Sequence, residues 1–225
     1  MSLALDDATL ARGALPHFGW PVAEEGDSPF DDDQRFFEPW WPGAHAFVRL
    51  DGDRMELRTE HLSDPLAAFP DLRDLATDVN AGRAIIEGTL LALDEEGRPD
   101  ASLLRRSLTT HDAVPATGAF VASDLPWLDG DDQRRTAFTE RRLVLTTILR
   151  DTEQAVVNRG LIAEGVTLAR AVASMGLSAI SARRLDARWQ AGRAGQAWLR
   201  LPVTEPTAAR ARPFLVVLER LPLGD

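Results

Sequence analysis

Residues 38–60 read "EPWWPGAHAFVRLDGDRMELRTE". Two runs of alternating apolar and polar residues, "AHAFVRL" and "RMELRTE", flank "DGD". The period of two and the glycine-centred turn predict a β-hairpin with one face buried. An acidic residue, prolines and a tight glycine turn lead into it. Further along, "AIIEGTLLALD" predicts a strand of near-continuous apolar character closed by the turn "EEGRP". "DASLLRRSL" reads as a short helix, and "GAFVASDLPWL" as a strand ending in "DGDD". Residues 136–150 set Leu145, Ile148 and Leu149 on one helical face. "AEGVTLARAVASMG" does the same with Val166, Ala169, Val172 and Ala173, and Gly176 is placed to stop that helix. "DPLAAFPDLRDLATDV" reads as helical from Pro70 onward. "LSAISARR", "QAWLRLPV" and "PFLVVLERL" are expected to finish the chain as strands. Residues 1–37, with Pro16, Pro21, Pro29 and the acidic run 31–33, read as irregular. No repeat or linker interrupts the pattern, so the expectation is one α+β domain built largely on antiparallel sheet.

Composition narrows the chemistry. The 225 residues are long enough to bury a sizeable core and carry a net charge of −10. No apolar run has the length of a membrane span and the acidic N-terminus is unlike a signal peptide, so a cytoplasmic location without membrane contact is expected. Cys is absent, which removes disulfides, thiolate zinc sites and a cysteine nucleophile. The four histidines, His17, His45, His61 and His111, have no metal-ligand spacing, and no metal is expected. All 25 basic residues are arginine. A guanidinium stays protonated and does not attack, so every mechanism with a lysine nucleophile is closed.

The order of segments resembles the adenylation (nucleotidyltransferase) domain of ATP-dependent DNA ligases, nearest the ligase module of bacterial ligase D proteins. The resemblance covers roughly residues 36–203. The family's first motif, Glu-Pro-Lys-Trp-Asp-Gly-Tyr-Arg, is matched at Glu38, Pro39, Trp41 and Gly43, with Trp40 at the lysine that takes AMP and His45 at the ribose-side arginine. In "IEGTLLALD", Glu87 stands for the motif aspartate and Thr89 for its functional glutamate. In "SDLPWLDG", Ser123 replaces the ring that stacks on adenine, while Asp124, Trp127, Asp129 and Gly130 are kept. In "SAISARR", Ser178 replaces the metal-linked glutamate and Arg183 the lysine. In "WLRLP", Arg200 and Pro202 take the two lysine positions. The resemblance implies the ligase-type, ATP-grasp-like fold of antiparallel sheets flanked by helices around a central cleft. It also implies an irregular segment, residues 1–35, packed on an adenylation domain, residues 36–225. The tail "RPFLVVLERLPLGD" is too short for the barrel that follows in active ligases, so no OB-fold domain is expected.

Positions that fold such a domain are kept, and positions that do its chemistry have changed. The expectation is a non-catalytic pseudo-ligase with no catalytic residue, acting through an unknown protein partner such as a ligase or another end-joining component. The alternatives are an active ligase of DNA repair and a non-covalent ATP or AMP sensor. Glu38, Ser123, Arg183 and Arg200 mark the vestigial nucleotide cleft. Two states of that cleft stay open: one filled by the Trp40 indole, and one still able to take ATP or AMP. Thr89 and Ser178 are neutral hydroxyls and poor magnesium ligands. The tract Arg183, Arg184, Arg188, Trp189, Arg193 is the local candidate for nucleic acid, with arginines for phosphates and an indole for stacking.

Overall fold

The computed structural model describes residues 14–60, 65–109, 116–203 and 211–221; His61 and His111 lie outside them. The strands in chain order are β1 (Pro21–Val22), β2 (Glu24–Glu25), β3 (Asp32–Pro39), β4 (Ala44–Asp51), β5 (Arg54–Thr59), β6 (Arg83–Leu93) and β7 (Thr117–Leu128). They continue as β8 (Asp131–Asp132), β9 (Ala155–Val157), β10 (Leu161–Ala163), β11 (Ala179–Arg184), β12 (Gly192–Arg193) and β13 (Trp198–Pro202). Helices cover Leu75–Asp78, Ala101–Thr109, Phe138–Ile148, Gly165–Ser174 and Phe214–Arg220.

One sheet runs β5-β4-β6-β7-β8 with antiparallel neighbours, and β9 adds parallel to β7. The other runs β10-β3-β11-β13, also antiparallel, with β2 parallel at its edge. The β4–β5 hairpin turns at Gly52, where φ is +61°. Gly176 follows the Gly165–Ser174 helix at φ +80°, a left-handed stop that other residues adopt at a cost.

Side-chain alternation decides which way each sheet faces. On β6, Ala84, Ile86, Leu90 and Ala92 join one core with Ala46, Val48, Leu50, Phe120 and Ala122. Of the intervening positions, Glu87 and Thr89 face the other way, into the cleft. A slip of one residue would drive both into the apolar core, so register is strongly fixed. On the second sheet, Phe37, Ile180, Ala182, Leu199 and Leu201 point into a second core. Glu38, Ser181, Arg183, Trp198 and Arg200 take the opposite face and the cleft.

Two sequence expectations are corrected and one, the helical reading from Pro70, is refined. "PFLVVLERL" is a helix, because Phe214, Val217 and Leu218 are the buried residues, a spacing of three and four. Residues 65–78 form two 3-10 turns, Pro65–Ala67 and Pro70–Asp74, and then one helical turn. Pro70, which has no amide hydrogen, starts the second 3-10 turn afresh. The described part of the N-terminal stretch, residues 14–37, is not irregular throughout: β1 and β2 pair with β12 and β13, and β3 begins at Asp32, while residues 1–13 lie outside the described residues.

Candidate functional site

The two sheets meet around a cavity of about 280 Å³. The first sheet supplies His45, Glu87, Gly88, Thr89 and Ser123; the second supplies Glu38, Ser181, Arg183, Trp198 and Arg200. Pro21, Val22, Ala23 and Glu25 wall one side. Gly43 allows the entry to β4 to lie against β6, since a Cβ there would sit 2.3 Å from the Leu90 carbonyl oxygen. Opposite β6, strand β7 carries a bulge: Gly88 faces Ala122 and Glu87 faces Asp124, leaving Ser123 as the extra residue. That bulge re-aims neighbouring side chains, so Ser123 lines the cavity and Asp124 enters the charge cluster beneath it.

The cluster joins three carboxylates, Glu38, Glu87 and Asp124, to three guanidiniums. Arg183 donates to Asp124 at 3.0 Å and to Glu87 at 2.8 Å, and its Nε lies 3.8 Å from Glu38. Arg141 forks onto Asp124 at 2.7 and 2.8 Å. Arg142 reaches Glu38 at 3.4 Å. Trp189 donates its indole N–H to Glu87, and His45 Nε2 lies 3.3 Å from the same carboxylate. All three acids are buried. At Glu87, burial alone would raise the pKa, but Arg183 and His45 together pull it well below the usual carboxylate range. At Glu38 burial wins over Arg142 and Arg183, and the pKa is raised. The difference is one of geometry: Glu87 has a 2.8 Å charged donor, whereas the guanidinium contacts of Glu38 are 3.4 and 3.8 Å.

Above this floor the aromatic residues stack. Trp198 donates to Ser181 at 2.8 Å and carries the Arg183 guanidinium 4.0 Å from its ring centroid. Trp40, half-buried, sits 5.8 Å from Trp198, and Arg200 lies 5.5 Å from the Trp40 centroid. Arg200 also pairs with the exposed Glu25 at 3.0 Å. Trp41 is a core residue, bonded to Asn158 at 2.9 Å and packed on Phe214. Thr89 lines the cavity opposite His45, whereas Ser178 is exposed, outside the lining.

The tract singled out for nucleic acid divides. Arg183 is locked in the floor, and Trp189 is buried against Leu15, Phe18 and Phe47, so neither ring nor guanidinium is presented as expected. Arg184 pairs with Asp186, while Arg188 and Arg193 are exposed. Sequence reasoning missed Arg141, Arg142 and Asn158. The signal for Arg141 was present: it falls three residues after Phe138 and four before Leu145, both buried, on the apolar stripe of its helix. Among the described residues, no cluster of His, Asp or Glu is arranged to hold a metal, and no helix is long and apolar enough to cross a membrane.

No family model matches the chain. The multifunctional non-homologous end joining protein LigD of Mycolicibacterium smegmatis is 25% identical over 191 residues, 84% of this chain and 24% of that protein. The LigD of Mycobacterium tuberculosis is 30% identical over 164 residues, 73% of this chain and 21% of its own. A DNA ligase of Thermococcus onnurineus is 27% identical over 179 residues, 75% of this chain and 32% of that one. The chain thus spans at most about a third of these relatives. Among solved structures, a mycobacterial DNA ligase D complexed with ATP and MES superposes with a TM-score of 0.69 and 26% identity, covering 82% of this chain and 60% of that one. The ligase domain of M. tuberculosis LigD gives 0.68 and 26%, covering 81% and 58%.

Proposed function

This chain is a ligase-like nucleotidyltransferase domain, homologous to the ligase domains of LigD proteins, and from that premise we propose that it is a pseudo-ligase. It forms no enzyme–AMP adduct and acts by binding a protein, an active ligase or another end-joining component. The observation that carries this reading is the guanidinium clamp on the cleft floor, where Arg183 is held between Asp124 and Glu87.

Adenylyl transfer to an enzyme needs an amine nucleophile, carboxylates for Mg²⁺ and free positive charge for the leaving pyrophosphate. Trp40, Thr89 and Ser178 stand at the resembling positions, and the chain has no lysine to substitute for the first. Arg183 and Arg200, which would meet phosphates, already face carboxylates. Glu87 and Asp124 in turn accept from arginines, leaving no open carboxylate pair for a cation. The residues present therefore do not fit magnesium–ATP, and no step is drawn through it. A second partner class, nucleic acid, is favoured by one feature: Arg134, Arg135 and Arg188 share a groove beside Phe18.

The test is calorimetry of ATP on the purified protein, with and without Mg²⁺. The expected result is no detectable heat at about millimolar ATP and no thermal stabilisation. A dissociation constant in the micromolar range would overturn the reading that the cleft does not fit magnesium–ATP and raise the nucleotide sensor in its place.

A further inference from the structure

We infer that the residual cleft takes an organic cation, a guanidinium or alkylammonium group, where the fold would otherwise meet a polyanion. The inference rests on the reading of the cleft as unfit for magnesium–nucleotide.

Charge comes first. Glu38, Glu87 and Asp124 are balanced by Arg141, Arg142 and Arg183, and Glu25 is balanced by Arg200. Of the charged residues lining the cavity, this leaves Glu60, an exposed carboxylate to which no described residue is paired. Beyond those pairs, the lining carries one uncompensated charge among the described residues, and it is negative. An anion entering it meets net negative potential, and a monovalent cation meets attraction focused by low-dielectric walls.

The aromatic surfaces agree with that sign. Each indole of the Trp40–Trp198 pair already carries a guanidinium within 5.5 Å of its centroid, Arg200 on one and Arg183 on the other. Both distances fall inside the range of cation–π attraction. The protein has therefore built this contact twice from its own side chains beside the cavity, and Trp40 remains half-buried at its wall. The hydroxyls of Thr89 and Ser123 offer acceptors for N–H donors. At about 280 Å³ the space is at the lower edge of small-molecule pockets and suits one head group with its stem. The source of that group is either a free amine or the arginine or lysine side chain of a protein partner.

The experiment is a calorimetric titration of the whole protein with three probes: N-acetyl-arginine methylamide, tetramethylammonium and ATP with Mg²⁺. Saturable binding of the two cations is expected, unaffected by ATP. Glu60→Gln and Trp40→Leu should each weaken it about 3- to 10-fold, Glu60→Gln without changing the melting temperature because Glu60 is exposed at the cavity wall, and Trp40→Leu with the protein still folded. Tenfold tighter binding of a flexible peptide carrying one arginine assigns the group to a protein partner, and equal affinity assigns it to a free amine. No saturable cation binding up to about 20 mM, or binding that ignores both substitutions, overturns the inference and leaves the pseudo-ligase reading intact. Micromolar ATP binding would instead overturn the reading of the cleft as unfit for magnesium–nucleotide.

Discussion

The floor and the rim of the cleft both use arginine–carboxylate pairs, yet they differ in what those pairs can do. On the floor, Arg141 and Arg183 meet Asp124 and Glu87 with all four side chains buried. At the rim, Arg200 meets a Glu25 side chain that is 67% exposed. Desolvated charges cannot be released without leaving a partner uncompensated, whereas exposed pairs exchange for water at little cost. The lesson is that the same residue types serve as structure below and as a replaceable surface above. What reads from sequence as one vestigial nucleotide cleft is two regions with different freedom.

The sharpest way to break this comparison is Arg183→Met. It removes the only guanidinium from Glu87 and leaves Asp124 to Arg141 alone, and a loss of about 3–5 kcal/mol in urea unfolding is expected. A loss below about 1 kcal/mol would mean the floor is not a single charge unit. Next comes acid. Glu87 has its folded pKa depressed below the ordinary 4.5, so the stability it adds is fully present above that pH and drains away as pH falls further. The gap between wild type and Glu87→Gln in unfolding free energy should therefore be widest at neutral pH and shrink below about pH 4.5. A constant gap would contradict the assigned contact with Arg183.

Glu38 sharpens the contrast within the floor. Its folded pKa is raised, so the stability tied to it is present below pH 4.5 and lost as pH rises through the folded value. Glu38→Gln, which resembles the protonated form, should cost less than Glu87→Gln at pH 7 by about 1 kcal/mol or more, measured by the same unfolding assay. The smallest effect belongs to the rim. Glu25→Gln should shift stability by about 0–1 kcal/mol and lose even that in high salt; a larger, salt-insensitive cost would put the rim in the same class as the floor.

Much of the fold was legible because local signals agreed with tertiary demands. "DGD" between alternating runs gave the β4–β5 hairpin, and the near-continuous apolar run at β6, broken by Glu87 and Thr89 at the cleft, is buried almost throughout. The terminal helix misled because "FLVVL" is apolar throughout, and a short run of that kind has no period to separate strand from helix. The positions around the cleft were legible as well: Glu38, Trp40, His45, Thr89, Ser123, Arg183 and Arg200 all line it. Their partners were not. Arg141 and Arg142 come from a helix more than fifteen residues away in sequence from Asp124 and more than a hundred from Glu38, and only the fold brings them together. Trp189 reads as a stacking indole for nucleic acid because it lies among arginines, yet Leu15 and Phe18 bury it, a contact with no local trace.

The central claim is that the cleft cannot carry out adenylyl transfer, and covalent labelling tests it most directly. Wild type and Trp40→Lys would be incubated with α-phosphate-labelled ATP and Mg²⁺ and then denatured. Neither should retain label, because restoring an amine at position 40 leaves Thr89 and Ser178 without carboxylates and Arg183 still clamped by Glu87 and Asp124. Label on wild type would contradict the pseudo-ligase outright, and label on Trp40→Lys alone would show that the remaining machinery is intact.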